Sequence, residues 1–103
     1  MSRKWYLYDM KKTEVEIILP VSIFKEGRAY VAYTPSLDLS TSGRTYPEAE
    51  RHFGEAVTLF FEELLRKGNL EEVLSNLGWR KIRRAWQPPI VVSHKMERMR
   101  VPA

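Results

Sequence analysis

The feature that most limits what this chain can fold into is an apolar stripe in its middle, bracketed by a start and a stop signal. Thr45-x-x-Glu48 is a capping-box pattern, and Pro47 belongs in a first helical turn. From there Ala49, Phe53, Ala56, Val57, Phe60 and Leu64 recur at three- and four-residue spacing, and Phe61 and Leu65 widen the stripe. Gly68 suits a left-handed helix stop. Gly54 lies inside this helix at a cost of about 1 kcal/mol relative to Ala; close approach of the helix to a sheet is the expected reason. One long helix with one apolar face must bury that face against its flanking segments.

Those segments read as strands and one further helix. From Thr13 to Phe24, Val15, Ile17 and Leu19 alternate with Glu14, Glu16 and Ile18, which predicts a half-buried strand. Pro20 marks an edge, bulge or break in it. Lys25-Glu26-Gly27-Arg28 is a turn, and Ala29 to Thr34 is a second strand, with Tyr30 and Ala32 on one face and Val31 and Tyr33 on the other. Leu37 to Gly43 is long enough to add a third. After the main helix, Asn69 and Glu72 frame a short helix whose buried face is Leu70, Val73, Leu74 and Leu77. Gly78 ends it and Trp79 is its anchor. The basic, proline-bounded run 80–89 reads as a surface connection, and 90–101 as a final strand or bent hairpin. The expected fold class is therefore α+β: an antiparallel sheet of three to four strands with one long and one short helix on one face. The other sheet face is expected to be wet or covered by a partner.

At 103 residues the chain fits a single domain, with its core in 13–79. It contains no cysteine, which leaves out disulfides and thiolate chemistry. The N-terminal segment lacks the apolar core of a signal peptide, and no apolar run approaches the roughly 20 residues of a membrane span, so a cytoplasmic protein is expected. The net charge of +4 is unevenly spread. Arg3, Lys4, Lys11 and Lys12 crowd the first dozen residues; Arg80, Lys81, Arg83 and Arg84 carry no acid among them; Lys95, Arg98 and Arg100 follow. Residues 48–72 are instead rich in glutamate. Such basic patches attract nucleic acid in some proteins and are plain solvated surface in more of them.

The ordered set of motifs resembles the HicB-like antitoxin domain. The run from Tyr30-Val31-Ala32-Tyr33-Thr34-Pro35 through Leu37-Asp38 to Ser42-Gly43 leads into a Thr45-x-x-Glu48-Ala49 helix start. The Leu64-Leu65-x-x-Gly68 stop, the Leu70-Glu71-Glu72-Val73-Leu74 helix and the Leu77-Gly78-Trp79 close follow in order. The resemblance covers about residues 13–79. It implies a partial ribonuclease-H-like fold, and a partner of the HicA toxin type, a small ribonuclease whose active surface the antitoxin covers. Many such antitoxins add a DNA-binding domain after this one. Here no two-helix pattern follows Gly78, which puts autonomous promoter binding in doubt.

No chemistry of the chain's own is expected. Of the carboxylates a metal-dependent nuclease needs, Glu14 and Glu16 face solvent on their strand, Asp38 belongs to a turn and Glu48 to the cap. His52 and His94 lack the companions of a triad or a metal site. No catalytic residue, metal or cofactor is assigned. Glu50, Glu55, Glu62 and Glu63 are the candidate surface for a positively charged toxin. Arg80, Lys81, Arg83, Arg84 and Trp86 are the candidates for nucleic acid or for a subunit interface. Trp5, Tyr6, Tyr8, Trp79 and Trp86 suit core packing, an interface or base stacking. Exposed sheet edges predict a homodimer or homotetramer.

Overall fold

The computed structural model describes residues 16–103. Glu14, the basic residues and aromatics of the first dozen positions, and the Thr13–Val15 part of the first expected strand lie outside that range.

Three strands, β1 (Ser22–Glu26), β2 (Ala29–Thr34) and β3 (Leu39–Gly43), form an antiparallel sheet in the order β1-β2-β3. Glu26 pairs with Ala29 and Thr34 with Leu39, so β1 and β2 are joined by a two-residue hairpin loop and β2 and β3 by a four-residue one. Two helices follow, α1 (Tyr46–Lys67) and α2 (Leu70–Asn76). The architecture is the expected α+β one.

Period-two alternation decides which face of the sheet is inside. Ala32 and Thr34 are fully buried. Ala32 packs with Ala49 and Phe53 of α1, joined by Ile23, Tyr30, Leu39 and Val57. A second cluster, Leu37, Leu64, Leu74 and Trp79, lies where α1, α2 and the β2–β3 loop converge. Trp79 closes it. Its indole N–H donates to the Ser36 carbonyl at 2.7 Å. Its ring meets Phe61 edge to face at 6.3 Å between centroids.

The start and stop of α1 follow the sequence signals. Thr45 accepts the Glu48 N–H at 3.1 Å, and Gly68 is left-handed at φ 71° with its N–H turned back to the last carbonyls. The Glu48 carboxylate reaches the N–H of Arg44, one residue before the cap.

Five expectations are corrected. The first strand begins only at Ser22. Residues 16–21 keep the predicted alternation in burial, with Ile17 and Leu19 packed inward and Ile18 87% exposed. They form no ladder, and Pro20 in their midst has no N–H to give one. The basic 80–89 segment is no plain connection: β4 (Arg80–Ile82) and β5 (Ala85–Gln87) form a separate two-stranded hairpin. Residues 90–101 form no strand. Close approach of helix and sheet falls at Gly43 and not at Gly54. A Cβ on Gly43 would stand 2.6 Å from the Ala49 nitrogen, whereas one on Gly54 would meet open space. Asn69 stands at the N-cap of α2 but makes no side-chain cap bond, and its Oδ1 is buried without a partner.

Two substitutions test this account by thermal denaturation. Gly43→Ala forces a side chain onto the helix backbone and is expected to cost about 1–3 kcal/mol. Trp79→Phe keeps most of the apolar ring but strands the buried Ser36 carbonyl, at about 1–3 kcal/mol. Each kcal/mol lowers Tm by roughly 4–8 °C in a domain of this size.

Candidate binding surfaces

Among the described residues the sheet carries helices on one face only. On the opposite face β1 and β2 present Phe24, Val31 and Tyr33, and β3 presents Ser40 and Ser42. Phe24 is 44% exposed. The Tyr33 hydroxyl donates to Asp38 Oδ1 at 3.2 Å. Desolvation, and then the bond to and charge of Asp38, hold this phenol above its ordinary value, so it stays neutral near pH 7. Asp38 itself sits at φ 51° and donates its N–H to the Pro35 carbonyl at 3.2 Å, which makes it a turn residue.

The two sheet edges differ. At β3, the His52 ring takes up the Ser42 carbonyl through Nδ1 at 2.7 Å, and the Thr41 hydroxyl donates to the Ala49 carbonyl at 3.2 Å. His52 is thus a clasp between helix and edge strand. At β1, among the described residues, no helix side chain covers the outer side.

On α1 the four glutamates singled out in the sequence do not form one patch. Glu55 and Glu62 are close to two turns apart and lie along one line. Glu50 stands roughly 140° and Glu63 roughly 100° away around the helix. Glu63 is engaged by Arg66 at 2.6 Å and by Lys67 at 3.2 Å, and Glu55 pairs with Arg51 at 3.5 Å. Glu50 and Glu62 make no ion pair among the described residues. Leu59, 63% exposed, lies between Glu55 and Glu62 on the outward line. Sequence reasoning passed it over; its place off the apolar stripe and between two acids was the available signal.

The basic set is split by its hairpin. Lys81 and Trp86 are directly paired, with the Lys81 ammonium 5.8 Å from the indole centroid and 3.4 Å from Glu71. Trp86 is partly buried against the core, where it supports the hairpin. Arg80 lies on the other face, and Arg83 and Arg84 form the turn. Arg83 holds φ 64°, a conformation that glycine takes more readily.

Among the described residues no three His, Asp or Glu side chains converge to hold a metal ion, and no helix is long and apolar enough to cross a membrane. The class that fold and surface define is a small α+β domain with a one-sided sheet. No family model, no curated protein and no solved structure matches the chain.

The Glu48 carboxylate is held below its ordinary value of 4.5, first by the Arg44 N–H and then by the nearby His52, Arg51 and Arg44 charges. A lowered carboxylate stabilises the fold fully above its unfolded value and loses that contribution as pH falls through its folded one. Stability is therefore expected to drop below about pH 4.5. In Glu48→Gln the drop is smaller, and the Tm gap between the two proteins narrows as acid is added.

Proposed function

We propose that this chain is a non-catalytic protein-binding module of the HicB antitoxin type. It neutralises a small, positively charged ribonuclease of the HicA type by covering it. The observation that carries the reading is the one-sided sheet: aromatic and hydroxyl side chains stand on a face that no described helix covers. An antiparallel sheet exposed on one side is a ready platform for a partner's surface. The outward line Glu55, Leu59 and Glu62 supplies a negative rim around an exposed apolar residue, an arrangement suited to a basic partner. The motif order of residues 13–79 supplies the family.

A second reading uses the hairpin. Its eight residues carry four cations and no acid, and two-stranded ribbons of this kind bind nucleic acid. Glu71 holds one of the four, Lys81, which weakens this reading.

Co-purification with a HicA-type protein, or with the product of an adjacent gene, tests the first reading. A complex is expected. Glu55→Lys with Glu62→Lys is expected to weaken it at least tenfold, and Glu63→Lys to matter much less, because Glu63 is already engaged by two cations. No complex with either protein, together with nucleic-acid affinity that falls steeply with salt and is lost in Arg80→Ala/Arg83→Ala, favours the second.

A further inference from the structure

Residues 88–103 leave the body of the domain. Pro88 and Pro89 begin the segment, nothing in it is helix or strand, and every residue from 89 onward is exposed. Ile90, Val91, Val92, Met96, Met99 and Val101 are between 52% and 96% exposed. The principal extents are 54 × 29 × 26 Å, and the radius of gyration is 16.4 Å against about 13 Å for a compact chain of about 100 residues. An isolated exposed apolar residue is unremarkable. Six within twelve positions, three of them consecutive and β-branched or branched aliphatic, make an unpaired strand sequence.

We propose that residues 90–101 are an exchange arm that adds as a strand to the β1 edge of a second copy of this chain, which reciprocates. Four observations lead there. First, among the described residues β1 is the open edge of the sheet, with no strand on its outer side, whereas His52 and the first turn of α1 lie against β3. Such an edge offers alternate N–H and C=O groups to an incoming strand. Second, the root of the arm lies beside the segment that leads into β1 on the same protomer. An open groove of about 630 Å³ runs between residues 16–20, which lead into β1, and residues 85–91, where the arm begins. A root this near the receiving edge lets two copies exchange arms reciprocally about one two-fold axis. Third, two adjacent prolines stiffen the root of the arm in an extended form and disfavour a tight turn back onto its own domain. Twelve extended residues reach roughly 40 Å, enough to run past β1 of a neighbour. Fourth, charges match. In the arm Lys95 pairs with Glu97, which leaves Arg98 and Arg100 in excess, while Glu26 at the end of β1 and Glu16 before it make no ion pair among the described residues. Lys25, the cation of β1, is turned over the Tyr30 ring on the helix side.

The arm and the surface receiving its partner together place on the order of 20 residues of each protomer in the contact. That is the size class of stable interfaces, about 20–30 residues a side. The inference does not rest on the antitoxin reading, and toxin binding is measured separately.

Light scattering at micromolar concentration tests it. The full chain is expected to run at twice its 12.1 kDa mass. A chain ending at Pro89, and a full-length Val92→Lys/Met96→Lys variant with unchanged helix content, are expected to run as monomers. The chain has no cysteine, so placed ones report cleanly. Phe24→Cys protein mixed with differently tagged Val92→Cys protein is expected to give a heterodimer with a short bismaleimide. A monomeric full chain, a dimer that survives both arm changes, or a cross-link that forms only when both cysteines are in one chain overturns the proposal.

Discussion

One hydrogen bond sets the shape of the second half of the domain. The Trp79 indole donates to the Ser36 carbonyl across a separation of 43 residues, deep inside the core. On one side it fixes the β2–β3 loop, where Leu37 is buried, the Ser36 N–H reaches the buried Thr34 hydroxyl, and Asp38 takes its left-handed turn. On the other it fixes the end of α2, whose Leu74 carbonyl accepts the Trp79 N–H at 2.9 Å. The hairpin β4–β5 starts at the next residue, so its position follows from the same anchor. A buried indole N–H and a buried carbonyl would each be costly alone. Paired, they bind two distant segments into one cluster. Much of the run that resembles an antitoxin signature is thus used by the fold itself.

The sequence told most where local chemistry and tertiary packing agree. The start of α1 at Thr45, its stop at Gly68, the alternation of β2 and the anchoring part of Trp79 all follow from side-chain patterns. The errors share a cause. A period of two reports which residues point inward, and a strand also needs a partner backbone. Residues 16–21 have the first without the second, and residues 90–101 have strand composition with no strand beside them. The hairpin at 80–87 was hidden for the opposite reason: its turn is made by Arg83 and Arg84, with none of the Asn, Asp or Gly that marks such turns. Gly43 could be recognised as a glycine of a strand end, but its contact with the Ala49 nitrogen depends on how α1 returns over the sheet. The binding surfaces were legible as charge and not as geometry. Four glutamates read as one face because sequence distance does not show angle, and Lys81 read as available because Glu71 lies ten positions away.

The ion pairs on α1 bear on the same point. Arg51, Arg66 and Lys67 draw on Glu55 and Glu63 along the helix, and such exposed pairs contribute little to stability. Their larger effect is on the surface field. They offset the charge of Glu55 and Glu63 and leave Glu50 and Glu62 without an ion pair among the described residues.

The order of the elements along the chain has a kinetic consequence. β1 pairs with β2, β2 with β3, and α1 folds back onto the strands just before it, so these contacts close short loops. Low contact order of this kind goes with folding in milliseconds or faster. The Trp79–Ser36 bond, and the packing of Ile17 and Leu19 against the same cluster, close much longer loops. The sheet and α1 can assemble as a nucleus, and capture of the indole then completes the native packing.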